Sequence, residues 1–443
     1  MQLKKSFLWS TFNSFFVSVV GFLSYSFLAK NISQSDFGFY SYTLNILGSF
    51  IVLASFGTHL ISSKLRNHFL DDEKYKIYLF QTFFFSSLIT VIVFFLTYNY
   101  LPNFGEYNQN LFFYFLLIIV LASFQRLISD YFRSKENFVL YFLLNSFGSN
   151  SGILFWMFFS VTIFSINQYK FLSIDNIFKA LALSSLIPVI LLFLKKKNSI
   201  LTFLRKLPGN IFLFNHEYHF FLKSCFILLF IILLRTVKDT SAFWILGYTS
   251  EITDVGIFFT AYKLSFIILT PLIIIENVIP QNVSKLDKEG SKIELENFIR
   301  KISSYRFIVC SLMIILSYIF AESILTVFFG EDYIVATKSF QIIALSMIPS
   351  IFVGPCISLL ILTSHQNKYI LIDSIVMIPF IIGGVILSNY SGYYGMAIAF
   401  SILNFVTHIL YFFYTKKALK INTLPYLSLK KNIQIFKKDF IDQ

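Results

Sequence analysis

Charge is scarce in this chain. Asp, Glu, Lys and Arg make up 13% of its 443 residues, whereas 56% are hydrophobic and 58 are Phe. A soluble domain carries about a quarter charged residues, so this thin polar inventory excludes a body whose whole surface faces water. Cysteine is nearly missing as well. Cys225, Cys310 and Cys356 all fall in apolar runs with no short spacing between them, which excludes a disulfide framework and a cysteine metal site. No loop of the Gly-Lys-Ser/Thr type occurs, so ATP hydrolysis within the chain is not expected. Polar loops of any length are equally lacking, and the longest covers about 27 residues.

What remains is a succession of apolar stretches. A hydrocarbon core about 30 Å thick takes about 20 helical residues at about 1.5 Å each. Such runs lie near 6–29, 37–61, 77–98, 111–131, 138–163, 172–193, 220–246, 255–278, 306–328, 340–362, 370–387 and 396–414. The expected fold is therefore all-α, a polytopic membrane protein of about twelve transmembrane helices. Lys4 and Lys5 precede the first run and no small-x-small site follows it, which reads as an uncleaved first helix.

Basic residues choose one side of this threading. Lys4–Lys5, Lys64–Lys76, Arg133 with Lys135, Lys195–Lys223, Lys285–Arg306, Lys368 and Lys416–Lys438 together hold 28 of the 36 Lys and Arg. The opposite loops carry Lys30, Lys170 and Lys338. The positive-inside rule places both termini in the cytoplasm, in a plasma or inner membrane. The formal net charge of +13 is then explained by helix orientation and anionic lipid, and no nucleic-acid partner is implied.

The spans divide six and six. The expected organisation is an N-terminal lobe over 1–194, a cytoplasmic linker over 195–219, a C-terminal lobe over 220–414 and a basic cytoplasmic tail over 415–443. Asp36-Phe-Gly38 before the second span and Asp254-Val-Gly256 before the eighth share one offset of 218 residues (254 − 36 = 256 − 38), a weak internal repeat. Repeats six helices apart keep the same orientation and relate by an axis along the membrane normal. The plainer alternative for each Asp-x-Gly is a helix-start turn, with Asp as cap and Gly for close approach.

Charged side chains inside a span cost about 2.5–3.5 kcal/mol each and so mark protein-facing or wet positions. Arg235, Lys238 and Asp239 share one face of span seven at i, i+3 and i+4. Lys263 in span eight and Lys179 in span six are comparably deep, and Arg126 with Asp130 forms another i, i+4 pair in span four. Arg235, Lys238, Lys263 and Lys179 outweigh Asp239, which suits an anionic head group, with Asp239 positioning Arg235 or coupling an ion. Snorkelling ends and ordinary helix–helix pairs are the competing roles for the same residues. Tyr40, Tyr42, Tyr262 and Asn45 are the candidate sugar contacts, while Asn13, Asn145, Asn150, Gln281 and Asn404 fit interhelical hydrogen bonding better. His59 and His408 lie toward the inner ends of their spans, where proton carriage and local hydrogen bonding are the alternative roles. His216-Glu-Tyr-His219 lacks the i, i+4 spacing of a zinc helix and reads as a solvated loop, as does Asp71-Asp-Glu73.

Taken in order, several short segments resemble the polysaccharide-transport branch of the multidrug/oligosaccharidyl-lipid/polysaccharide exporter superfamily, and bacterial O-antigen flippases in particular. They are Asp36-Phe-Gly38-Phe-Tyr40, Asp239 with Ile245-Leu-Gly247, Asp254-Val-Gly256, Pro280 with Ser284-Lys285, Phe328-Phe-Gly330-Glu-Asp-Tyr333 with Ala336, and Gly392 with Gly395-Met-Ala-Ile-Ala399. The family commonly places a basic residue after Asp239; this chain has Thr240. The resemblance implies two six-helix lobes in a V and translocation of an undecaprenyl-pyrophosphate-linked oligosaccharide to the periplasmic leaflet by alternating access. It implies no enzymatic activity and no cofactor, leaves room for H+ or Na+ coupling, and suggests a polysaccharide polymerase and a chain-length regulator as further partners. The rival readings are a cation-coupled drug exporter of the same superfamily and a membrane-embedded O-antigen polymerase. Outer loops of only about 5–13 residues argue against the polymerase.

Overall fold

The computed structural model describes residues 2–58, 72–102, 104, 110–135, 137–144, 153–168, 172–206, 215–276, 283, 286, 291–363 and 365–426. Within them the chain is helical: α1 (Gln2–Asn31), α2 (Gln34–Ser55), α3 (Asp72–Thr97), α4 (Asn110–Ser134), α5 (Phe138–Leu144), α6 (Ile153–Gln168), α7 (Ile174–Lys206) and α8 (His216–Thr249). There follow α9 (Ile252–Glu276), α10 (Lys292–Ile319), α11 (Ala321–Phe329), α12 (Thr337–Ser346), α13 (Ile348–Phe352), α14 (Cys356–Leu362) and α15 (Gln366–Leu419). Each of the twelve expected spans falls on this series, and no strand occurs among the described residues. Eight helical stretches are long and apolar enough to cross a membrane, and Phe15–Asn31 and Ile153–Asn167 are shorter apolar helices. Outward-facing Ile89, Phe95, Phe226, Ile319 and Ile378 are exposed, as lipid-facing side chains must be.

Contacts gather into two compact units, Met1–Thr240 and Ser241–Gln443. The division falls inside α8, downstream of the 195–219 segment taken from the sequence as a linker. Packing gives the reason. The first half of α8 places Tyr218, Phe221, Cys225 and Leu228 in a core with Tyr75, Tyr78, Leu79, Phe83 and Leu127 of α3 and α4. Residues 195–206 continue α7, and 207–214 lie outside the described residues.

In the first unit, α2 starts on Ser33, whose Oγ accepts the Asp36 N–H at 3.1 Å and donates to the Asp36 carboxylate at 2.9 Å. It ends on two left-handed residues, Phe56 (φ 46) and Gly57 (φ 68). A Cβ on Gly57 would stand 2.6 Å from the Cys225 carbonyl oxygen and 2.7 Å from the Leu229 nitrogen, so the turn rests on the backbone of α8.

The second unit contains interrupted spans. Span nine changes helix at Phe320, and span ten runs through α12, α13 and α14 with a break at Val353–Gly354–Pro355. Spans eleven and twelve form the single element α15, folded back at Ser391 (φ −145) and Gly392 (φ 52, ψ −131). Tyr369 stacks on Tyr411 at 5.7 Å, which fixes the two arms as an antiparallel hairpin. The Asp254 carboxylate accepts the Tyr393 N–H and occupies the space a Cβ on Gly392 would need. The two Asp-x-Gly segments thus serve helix starts, Asp36 its own and Asp254 the second arm of α15. Residues 420–426, which open the segment the sequence assigns to a basic cytoplasmic tail, pack on α10, with Ile421 in a core with Leu295, Ile299, Ile302 and Leu359. Residues 427–443 lie outside the described set, as do His59, Asp71, Asn145, Asn150, Pro280, Gln281, Ser284 and Lys285.

Replacing Gly57 or Gly392 with Ala should each destabilise the protein by about 1–3 kcal/mol, from left-handed strain and steric conflict. Thermal unfolding in detergent should show both variants melting well below wild type, with Gly48→Ala, where a Cβ meets open space, as the silent control.

Candidate functional site

Span seven carries an ion pair where a membrane helix least tolerates one. Arg235 and Asp239, near the middle of α8, approach to 4.0 Å with side chains 71% and 54% exposed. A pair so open at that depth would face hydrocarbon at high cost or an aqueous path at little. Lys238 shares the helix and is half-buried.

Neighbouring helices of the first unit extend this polar face. Arg126 of α4, half-buried, lies within electrostatic reach of both Asp130 and Arg235. Asp130 is buried. The five groups Arg126, Arg235, Lys238, Asp130 and Asp239 carry one positive charge in excess (3 − 2). On α2, Asn45 donates to the Ser41 carbonyl at 2.8 Å, and one turn on Ser49 meets Thr240 with 3.4 Å between hydroxyl oxygens. Thr240 replaces the base common in the resembling family, and here its hydroxyl pairs with Ser49 and back-bonds to Thr236 at 2.8 Å.

The other candidates are placed differently. Lys179 is exposed on α7 and makes no hydrogen bond or ion pair among the described residues. Lys263 belongs to the second unit, half-buried on α9, with its ammonium 5.0 Å from the Phe259 ring centre and 6.0 Å from that of Tyr262. The tyrosines named as candidate sugar contacts are buried. Tyr40 and Tyr42 are wholly buried in the first unit, Tyr40 against Tyr25, Phe37 and Phe178, and Tyr42 against Phe104. Tyr262 is buried in the second among Phe243, Phe266 and Phe400. In a helix as aromatic as α2 the rings are drawn into the lobe core, where most of their surface leaves lipid contact. At the start of α8, Glu217 accepts from Tyr78 at 3.2 Å and His219 meets the Asn215 carbonyl at 3.2 Å. No group able to hold a metal occurs among the described residues.

No protein-family model matches the sequence. No curated protein matches it either. Solved structures do. The lipid II flippase MurJ in an inward closed conformation superposes with a TM-score of 0.70, covering 98% of this chain and 94% of its own at 13% identity. An inward-facing multidrug resistance MATE family transporter of the MOP superfamily gives a TM-score of 0.67, with 91% and 95% covered at 12% identity. This chain shares the fold of these transporters. A MOP superfamily transporter from Pyrococcus furiosus, reported to have a binding pocket of reverse polarity, matches at 0.62 over 94% and 96% with 13% identity. At such identities the likeness concerns architecture, and the polar groups must be read from this chain itself.

Within this fold, two further charged residues lie buried in the second unit. Asp373, buried in span eleven, accepts a hydrogen bond from Tyr411, and His408 lies beside that ring with 6.1 Å between centroids. A single acid inside Tyr369-Ile-Leu-Ile-Asp373-Ser-Ile-Val-Met is itself a signal for an intramembrane polar site. Arg306, grouped by sequence with the cytoplasmic loop, is buried in the second unit and donates to the Ser350 carbonyl at 3.0 Å. Its proximity to the loop in sequence concealed that role.

If the Arg235–Asp239 pair borders water, Arg235→Cys and Asp239→Cys should react in native membranes with a charged, membrane-impermeant thiosulfonate when the reagent reaches the open side; inert thiols from both sides would place the pair against lipid. Tyr40→Phe removes a buried hydroxyl that has no hydrogen-bond partner among the described residues, so unfolding temperature should hold or rise. A loss of stability would reveal a partner for that oxygen.

Proposed function

We propose that this protein is a flippase that moves a polyprenyl-pyrophosphate-linked oligosaccharide, of the O-antigen or polysaccharide repeat type, from the cytoplasmic to the periplasmic leaflet. The observation that carries the reading is the exposed Arg235–Asp239 pair at mid-span, in a cluster of charged groups with one positive charge in excess. A pyrophosphate head group cannot enter hydrocarbon, but guanidinium and ammonium groups along a wet path replace its hydration with charge-assisted hydrogen bonds. Arg235, Lys238 and Lys263 hold the anion in turn, Asp239 keeps Arg235 oriented, and Lys179 contributes near its helix start. The prenyl chain stays in lipid. Alternating exposure of the charged face then carries the head group across without desolvating it. The printed name of MurJ, a lipid II flippase, supports a lipid-linked cargo for this fold.

One observation favours a second reading, a cation-coupled exporter of small molecules: the buried Asp373 carboxylate beside Tyr411 and His408 is a ready proton or cation site. The MATE family neighbours share the fold equally.

The double variant Lys238→Ala/Lys263→Ala should abolish surface polysaccharide in the source cell, with protein abundance in the membrane unchanged. Immunoblotting for polysaccharide and protein together reads this out. Single repeat units on the surface would indicate a polymerase, and normal polysaccharide with lost drug resistance would favour the exporter.

A further inference from the structure

The break in span ten leaves backbone groups that a continuous helix would satisfy, and inside a membrane protein such groups need partners from neighbouring elements. Gly354 is left-handed (φ 78), and Pro355 offers no N–H. One partner comes from beyond the last span. The chain leaves α15 through left-handed Lys420 (φ 55), and Asn422 turns it by accepting the Leu424 N–H at 3.1 Å. Thr423 then lies across the break. Its hydroxyl donates to the Val353 carbonyl at 2.6 Å, its own carbonyl accepts from Ser303 of α10 at 2.6 Å, and its Oγ1 stands 3.5 Å from Cys356 Sγ. A Cβ on Gly354 would come within 2.7 Å of the Thr423 carbonyl oxygen, so the absence of a side chain there is what admits the segment. Further along, Arg300 donates to the Leu424 carbonyl at 3.3 Å and covers the Tyr426 ring at 4.4 Å, and the Tyr426 N–H reaches Ser304 at 3.3 Å.

We propose that Lys420–Tyr426 is a strap that fastens a hinge: at the Val353 carbonyl it adds the Thr423 hydroxyl to the 3.2 Å contact from Cys356 Sγ, holds α14 to α10 while seated, and frees α14 to swing at Gly354–Pro355 when it lifts. Two features distinguish a latch from plain packing. The seat lies at a helix break, where φ/ψ changes are absorbed most easily. The strap holds that break through polar contacts at Thr423, which release in a discrete step, rather than through a continuous apolar interface alone.

Cys356, 1% exposed beneath Thr423, reports on the strap. In full-length protein in native membranes, with Cys225 and Cys310 replaced by Ala, N-ethylmaleimide should alkylate Cys356 slowly. Thr423→Val keeps the shape and removes the donor, and Ser303→Ala removes the second tie. Each should speed alkylation about tenfold, the factor that one lost buried hydrogen bond is worth in local opening. Wild-type rates in both variants overturn the strap. In a separate Thr423→Cys protein, oxidation should link position 423 to Cys356, halt export, and release it again on reduction. Full export with the link intact overturns the hinge. That last readout depends on the proposed export activity and the alkylation rate does not, so a fault in the function assignment is told apart from a fault in the strap.

Discussion

Everything in this protein follows from the cost of placing a polar group where no water can serve it. The chain answers that cost in three ways. Hydroxyls in the spans turn back on their own helix, as Ser123 does to Ile119 at 2.7 Å, Ser184 to Ala180 at 2.7 Å and Thr407 to Leu403 at 2.6 Å. Broken backbone is closed by side chains from other elements, as Arg306 closes Ser350 and Thr423 closes Val353. Where neither device applies, as at Arg235 and Asp239, opposite charges are paired along an exposed face of their helix.

The same constraint explains what could be read beforehand. Apolar run length sets span number, because hydrocarbon thickness admits few solutions, so each of the twelve segments falls on helix among the described residues. Sidedness also has a local echo. In the second unit Leu295, Leu359 and Ile421, from three segments that the threading puts on one face, share a core. In the first, Lys76 of α3 and Lys135 beyond α4 both approach the Tyr131 ring, at 5.8 and 5.0 Å.

Side-chain direction was much less legible. Periodicity could not say that Tyr40 and Tyr42 point inward, since in a span where nearly every residue is apolar no face contrasts with another. Arg306 was hidden by its nearness to a basic loop, and Asp373 by attention to cations. The offset between Asp36 and Asp254 was real as a pattern, yet its content is capping, performed once within a helix and once across a fold-back. Helix breaks at Phe320 and Gly354 escaped notice because hydropathy is blind to φ and ψ.

The hairpin of α15 carries a consequence for assembly. Its arms join with no intervening loop, so neither can settle in the bilayer far ahead of the other. Their mutual contacts, Tyr369 on Tyr411 and Tyr411 with Asp373, form between stretches made within moments of each other at the ribosome. The final two spans are thereby suited to enter the lipid as a prefolded pair, the acid already matched to its phenol before either meets hydrocarbon.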